Sequence, residues 1–189
     1  GKAEYGQRSL GSRSILADPT NKNSKYKLNM ILKRRDWFMP FAPAIMDNHY
    51  KYWFDKSEKP SLYMQKAVKV KKNKIKFIPS ATHVDGTCRV QYVCRKKFHN
   101  FWKIIKEFYK LKKIPMVLNT SFNRHGISTI STPRQAIEHL MEGCIEILYI
   151  NNFKIELSKN RKLKSFVIKK ISEENLLKLE NINWRKKLN

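Results

Sequence analysis

Between residues 84 and 150 the sequence alternates segments typical of strands with segments typical of helices, and this alternation limits the fold most. Residues 84–93 alternate apolar and polar side chains, and their period of two predicts one strand. Residues 114–118 and 144–150 predict two short apolar strands. Residues 98–112 predict an amphipathic helix, whose inner face comprises Phe101, Trp102, Ile104, Ile105, Phe108 and Leu111. This order favours a mixed α/β (α+β) sheet over a helical bundle or a sandwich.

A capping box at Thr132 predicts the start of a further helix. Pro133 suits the first helical position, and Gln135 stands three residues after the cap. The buried face of this helix is expected to comprise Ala136, Ile137, Leu140 and Met141, and Gly143 is expected to end it in a left-handed conformation. Apolar positions in residues 21–32 predict another helix earlier in the chain.

The composition changes near residue 153, after which lysine dominates and the apolar periodicity weakens. We therefore expect residues 1–153 to form one domain. Residues 154–189 are expected to be a basic C-terminal extension with a helix at residues 173–180.

The composition limits the class of protein. Hydrophobic residues make up 41% of the chain, which excludes a disordered polymer, and no apolar run is long enough to span a membrane. Three cysteines, Cys88, Cys94 and Cys144, form no paired spacing and indicate free thiols in a reducing cytoplasm. The five histidines show no metal-ligand spacing, so we expect no metal site from this chain alone.

The formal net charge is +25, and two interpretations stand. A basic surface is typical of proteins that bind nucleic acid. Alternatively, the excess is background composition, since 30 of the 40 cationic residues are lysine. The arginines are more selective, because six of the ten fall in four short segments: Arg8, Arg13, Arg34, Arg35, Arg89 and Arg124. A rigid guanidinium is well suited to phosphate or carboxylate.

The first two of these segments combine cations with glycine or aromatic residues. In residues 4–19, Gly6 and Gly11 permit a close backbone approach, Arg8 and Arg13 offer two guanidinium groups, and Ser14 offers a hydroxyl. The alternative is that Arg8 and Arg13 pair with Glu4 and Asp18. Residues 33–43 place adjacent cations before a proline-rigid aromatic stretch, which suits a nucleotide; the alternative is a helix end followed by core aromatics.

The other two segments carry polar groups at predicted strands. In residues 82–91, Arg89 has apolar neighbours and so needs an anion or several acceptors. His83 and Asp85 are predicted on one strand face, as a catalytic pair or with His83 structural; Thr82 and Thr87 are further candidates. Residues 118–126 leave a strand at its C-terminal end, where α/β sheets often bind ligands; the alternative is an ordinary loop exit.

In this order the four segments resemble the C-terminal, YrdC-like domain of the O-carbamoyltransferase family, which includes nodulation and antibiotic-tailoring enzymes. The resemblance runs from residue 1 to about residue 153. It departs at Gln7, Arg34 and Met39, where the family usually has Pro, Phe and Arg. The strand that usually leads into residue 1 is expected to be missing, as is the N-terminal domain.

The resemblance implies a twisted sheet of parallel and antiparallel strands, with flanking helices and a basic concave face. It implies that the domain binds carbamoyl phosphate and ATP, with Mg²⁺, and forms carbamoyl adenylate. An actin-like or sugar-kinase-like N-terminal domain would then pass the carbamoyl group to a substrate hydroxyl. By motif position, Lys33 and Arg89 would be catalytic. The substrate and ATP contacts would be Arg8, Arg13, Ser14, Arg35, Asn119, Ser121 and Asn123.

The sequence therefore supports two hypotheses about function. The first is part of an ATP-dependent carbamoyltransferase located in the cytoplasm. The second is a basic YrdC-like module that binds RNA or nucleotide without carbamoyl transfer.

Overall fold

The computed structural model of the protein describes Glu4 and residues 8–55, 60–157 and 166–170. The chain divides into two compact units, Gly1–Ser131 and Thr132–Asn189. The expected helix at residues 173–180 lies outside the described residues. The expected boundary at residue 153 concerns composition rather than compactness and stays a prediction.

The elements of both units are short. The first unit contains, in chain order, β1 (Ser14–Ala17), α1 (Lys22–Lys27), a π-helical turn (Leu28–Lys33), β2 (Ala42–Met46), α2 (Tyr50–Trp53), β3 (Ala67–Lys69), β4 (Thr87–Arg89), β5 (Gln91–Val93), α3 (His99–Lys112) and β6 (Met116–Ser121). The second contains α4 (Pro133–Met141), β7 (Ile147–Ile150), β8 (Phe153–Leu157) and β9 (Phe166–Lys170).

A four-stranded sheet in the order β1-β6-β2-β5 forms the centre of the first unit. Strand β6 is antiparallel to β1 and to β2, whereas β2 and β5 are parallel. The mixed sheet with flanking helices confirms the predicted α+β class. The inner strands β2 and β6 pair with each other, and Ala42 at the start of β2 lies opposite Asn119 near the polar end of β6. The segment between the π-helical turn and β2 therefore lies next to that end of β6.

Helix α3 packs on this sheet through an apolar face, as predicted. Phe101, Trp102 and Ile105 are buried together with side chains of β2, β5 and β6. The prediction was wrong for Ile104 and Leu111, which are each 44% exposed. These two residues are seven positions apart and so share one stripe at the margin of the apolar face, beyond the strands that the helix covers.

Two predicted elements differ from the observed ones. Residues 84–93 form two strands rather than one: β4 pairs with β3 in a separate two-stranded sheet, and β5 pairs with β2. The alternating pattern runs through Val90, where the chain changes sheets, so the pattern cannot reveal the break. The helix predicted at residues 21–32 begins at Lys22 as expected but continues from Leu28 as a π-helical turn.

The second unit begins with the predicted capping box. The Thr132 hydroxyl accepts a hydrogen bond from the backbone N–H of Gln135 (3.3 Å), and the Gln135 side chain accepts one from the Thr132 N–H (3.2 Å). Gly143 has a φ of +73° just after the helix, as predicted. Strands β7, β8 and β9 form an antiparallel sheet in that order. The predicted burial of Met141 was wrong, since it is 50% exposed.

Gly11→Ala tests how closely the loop before β1 packs on α3. Gly11 has a φ of +126°, and an added Cβ would lie 2.6 Å from Cγ of Phe101. The substitution should lower the free energy of unfolding by about 2 kcal/mol or more in urea denaturation, from backbone strain plus overpacking. Gly126→Ala is the matched control, because Gly126 has a φ of +77° with open space around it and should cost only about 1 kcal/mol. Equal losses would contradict the close packing.

Candidate functional site

The carboxylate of Glu4 organises the loop at residues 8–13. It accepts hydrogen bonds from the backbone N–H groups of Leu10 (3.1 Å), Ser12 (2.6 Å) and Arg13 (3.2 Å). Burial opposes ionisation, but these N–H groups outweigh it and hold the pKa of Glu4 below its ordinary value. Within the described residues Glu4 therefore orders the loop through its backbone and does not neutralise a guanidinium.

Arg13 and Ser14, both expected to contact substrate, are engaged within the first unit. Nη1 of Arg13 donates to the carbonyl of Ile130 (3.1 Å). Oγ of Ser14 accepts from the N–H of Gly11 (3.0 Å) and lies 2.7 Å from Oγ of Ser9. These contacts make the two residues supports of the loop that carries Arg8.

The π-helical turn after α1 positions Asn29, which the sequence analysis missed. Asn29 is fully buried; its Nδ2 donates to the carbonyls of Trp37 (2.9 Å) and Met39 (2.8 Å). Its Oδ1 accepts from Nε of Arg35 (2.7 Å). The Arg35 guanidinium also lies over the ring of Phe41, 4.8 Å from its centroid. Asn29 thus fixes the guanidinium of Arg35 and the loop after it.

Lys33 is 4% exposed, and its ammonium group lies among four oxygens. Nζ is 2.7 Å from the carbonyl oxygen and 3.2 Å from Oγ of Ser121, and 2.9 Å from the carbonyl oxygen and 2.7 Å from Oδ1 of Asn123. Burial, followed by the positive charge of Arg35, lowers the pKa of Lys33 to about 7. Lys33 therefore holds the segment after β6 in place.

Four cations from three of the sequence segments lie close enough to repel one another. Burial is the larger cause that lowers the pKa values of Arg89 and Arg35. The charge of Arg8 lowers the pKa of Arg89 further, and the charge of Arg89 lowers the pKa of Arg35 further. Arg35 acts on Lys33 in the same way. No carboxylate among the described residues forms an ion pair with any of the four. Such a cluster suits a bound anion.

Two buried polar atoms in these segments have no hydrogen-bond partner among the described residues: Nε of Arg89 and Oδ1 of Asn119. Asn119 lies on β6 and donates from Nδ2 to the carbonyl of Ser9 (3.0 Å) and to Oε1 of Gln91 (2.7 Å). Buried polar groups are satisfied in most native structures, so the donor and the acceptor left over here are positions for a ligand or a bound water. Gln91 is a further residue that the sequence analysis missed, because the alternation of residues 84–93 makes it an ordinary polar position of the predicted strand.

His83, Asp85 and Thr87 lie in or beside the turn before β4, so the prediction that His83 and Asp85 share a strand face was wrong. Gly86, with a φ of +78°, makes this turn, and its N–H donates to the carbonyl of His83 (3.1 Å). The Thr87 hydroxyl donates to Oδ1 of Asp85 (2.7 Å) and lies 3.2 Å from Nδ1 of His83. The threonine hydroxyl therefore lies between the predicted pair.

His83 nevertheless lies close enough to Arg89 to be affected by its charge. Burial lowers the pKa of His83; Asp85 raises it, and the charges of Arg89 and Lys25 lower it further. Thr82 is buried and donates its hydroxyl to a backbone carbonyl of the first unit (3.0 Å), so its described contact is structural.

Two kinds of feature are absent from the described residues, a group of metal ligands and a membrane-spanning helix. Among the described residues, no three His, Cys, Asp or Glu side chains group together as metal ligands. No helix found there has the length and apolarity needed to cross a bilayer.

Comparison with known proteins identifies a family and several relatives that this chain resembles. The family model described as Carbamoyltransferase C-terminus matches residues 1–157. The chain is 42% identical over 157 residues to an uncharacterized protein of Methanocaldococcus jannaschii. It is 33% identical over 158 residues to the nodulation protein NolNO of Sinorhizobium fredii, and 34% identical over 155 residues to the nodulation protein NolO of Bradyrhizobium diazoefficiens.

These alignments include 82%, 82% and 81% of this chain but 30%, 23% and 28% of the respective relatives. The chain therefore spans less than a third of the length of these curated relatives. All of the cations described above lie within the matched residues.

Lys33→Met should remove a pH dependence of stability. Above about pH 7 the folded protein releases the Lys33 proton, whereas the unfolded chain keeps it until its ordinary pKa of 10.5, so stability from this group rises with pH across this window. The free energy of unfolding of the wild type should gain up to about 4 kcal/mol relative to Lys33→Met between those limits. Urea denaturation across the window measures this gain.

Lys103→Met is the control for that experiment, because Lys103 is an exposed lysine on α3. Its stability curve should rise with pH as the wild-type curve does. Parallel curves for the wild type and Lys33→Met would contradict the lowered pKa.

Proposed function

Because this chain belongs to the carbamoyltransferase C-terminus family, we propose that it is the part of an ATP-dependent O-carbamoyltransferase that binds carbamoyl phosphate and ATP. Its product would be carbamoyl adenylate, from which a partner domain transfers the carbamoyl group to a substrate hydroxyl. The observation that carries this proposal is the cluster of Arg8, Lys33, Arg35 and Arg89, which no carboxylate of the described residues neutralises by an ion pair.

The residue types suit this chemistry. Water would release phosphate from carbamoyl phosphate, and an oxygen of the resulting carbamate would attack the α-phosphorus of ATP, with pyrophosphate leaving. Negative charge then grows on phosphate oxygens, which fixed cations stabilise without a nucleophilic side chain. Arg89 would offer its free Nε to a phosphate oxygen, with Arg8 and Arg35 beside it. Lys33 would act through the Ser121 segment that it holds.

The remaining partners follow from the same proposal. Mg²⁺ would arrive on the phosphates of ATP, since the described residues contain no metal-ligand group of their own. The mixed sheet of the first unit supports a YrdC-like fold with a basic face. The acceptor hydroxyl would be bound by an actin-like or sugar-kinase-like N-terminal domain. The relatives are more than three times as long as the part that matches this chain, which is enough for such a domain. We place the protein in the cytoplasm, in keeping with Cys88 and Cys94, which form no disulfide among the described residues.

Arg89→Ala should weaken binding of ATP or carbamoyl phosphate by about 1.5–3 kcal/mol, the usual contribution of a charge-assisted contact. Isothermal titration calorimetry measures the change, and circular dichroism should report an unchanged fold. Lys103→Ala removes one exposed charge from α3 and should leave the affinity within experimental error. Unchanged affinity in Arg89→Ala would mean that Arg89 is structural.

The chain alone should bind nucleotide and catalyse at most a slow carbamoyl-phosphate-dependent exchange of pyrophosphate into ATP. Carbamoyl adenylate must be shielded from water until it meets the acceptor, and the proposal assigns that shelter to the N-terminal domain. The assay supplies ATP, Mg²⁺, carbamoyl phosphate and a panel of hydroxyl acceptors, with and without a separately expressed N-terminal domain of a relative. Efficient carbamoylation by the chain alone would contradict this division of labour.

A second candidate function, binding of RNA, is favoured by a basic and aromatic surface outside the cation cluster. Phe77 is 43% exposed, and Nζ of Lys76 and of Lys74 lie 5.2 Å and 6.0 Å from its ring centroid. Cations beside aromatic rings are typical of single-strand binding surfaces. Titration with ATP and with RNA in moderate salt separates the two functions, because only an RNA-binding module would retain RNA and show no affinity for ATP.

A further inference from the structure

We propose that a buried pair of side-chain amides, Gln91 and Asn119, selects ligands that carry an amino group, with Oδ1 of Asn119 as the acceptor. The inference rests on the proposed function and adds the part of the substrate that is recognised, namely the NH₂ group of the carbamoyl moiety. Gln91 is a positioning residue that fixes the direction in which Oδ1 points.

Backbone carbonyls determine the orientation of both amides. Nε2 of Gln91 donates to the carbonyl of Leu10 (3.1 Å), so its Oε1 must be the atom that faces Asn119. That oxygen accepts from Nδ2 of Asn119 (2.7 Å), which also donates to the carbonyl of Ser9 (3.0 Å). Reversing Asn119 would place its oxygen against two other oxygens. The two hydrogen bonds of Nδ2 therefore fix the position of Oδ1, the other end of the same amide, and this oxygen can only accept a hydrogen bond.

The burial of this pair makes the free acceptor significant. Gln91 is fully buried and Asn119 is 2% exposed, on strands β5 and β6 to either side of β2. Oδ1 of Asn119 has no hydrogen-bond partner among the described residues. An unsatisfied acceptor at the centre of a sheet is costly unless a ligand or a bound water supplies the donor.

The acceptor lies between the segments that carry the cations. Ser9, which receives one Asn119 hydrogen bond, directly follows Arg8. Ser121 stands two residues after Asn119, on the same face of β6, and contacts Lys33. A phosphate held by the cations would place the group attached to it beside Oδ1. Carbamoyl phosphate presents an NH₂ donor there, whereas acetyl phosphate presents a methyl group of similar size.

The test compares two stable analogues that differ only in this group, phosphonoacetamide (NH₂) and acetonylphosphonate (CH₃). Calorimetry on the full chain should show phosphonoacetamide binding about 10-fold tighter or more, since the methyl group leaves a buried acceptor unsatisfied. In Asn119→Ala and in Gln91→Met the two affinities should come within about 3-fold of each other. Thr120→Ala, which changes the opposite face of β6, should keep the wild-type ratio.

Inorganic phosphate and ATP, titrated in parallel, separate this inference from the proposed function. Equal wild-type affinity for the two analogues, with phosphate and ATP still bound, would overturn the amide selection and leave the anion site standing. This comparison needs no variant, so it decides the matter even if a substitution prevents folding. A ratio that persists in Asn119→Ala would also overturn the selection. Loss of phosphate, ATP and both analogues from the wild type would overturn the anion site and the selection together.

Discussion

The buried ammonium group of Lys33 joins two parts of the chain that are 88 residues apart, and the rest of the site depends on this contact. The π-helical turn brings Lys33 inward, and the oxygens of Ser121 and Asn123 surround it. The backbone N–H of His125 also donates to the Lys33 carbonyl (3.1 Å), which binds the returning loop to the same turn. The end of β6, and with it the position of Asn119 two residues earlier, is set by these bonds.

The oxygens around Lys33 belong to carbonyl, hydroxyl and amide groups, so they supply no negative charge to pair with it, and burial and Arg35 lower its pKa to about 7. Glu4, the nearest carboxylate in sequence to Arg8, is likewise engaged by backbone N–H groups. Mutual repulsion of the cations therefore persists in the folded protein and lowers its stability. A bound anion would relieve that repulsion, which is the usual relation between a strained site and its ligand.

The features that could be predicted from the sequence are those that local interactions determine. The capping box at Thr132 and the apolar face of α3 depend on neighbours three or four residues away; the capping box was confirmed, and the face was confirmed except at Ile104 and Leu111. The division between β4 and β5 was missed, because it depends on which distant strand each one pairs with. Asn29 and Gln91 were missed for the same reason, since their partners are loop carbonyls that only the folded chain brings near. The family resemblance was confirmed, whereas the catalytic and binding roles of individual site residues stay predictions.

The pairing of β1 with β6 has a consequence for how the protein forms. Ser14 pairs with Ser121, and Ala17 with Leu118, so strands about a hundred residues apart lie side by side. Contacts between such distant parts of a chain require a large loop to close, and proteins rich in them fold slowly. During synthesis the loop that carries Arg8 leaves the ribosome long before β6 does. Until β6 follows, the nascent chain exposes β1 and β2 without the strand that joins them, and it would depend on chaperones to avoid pairing with another chain.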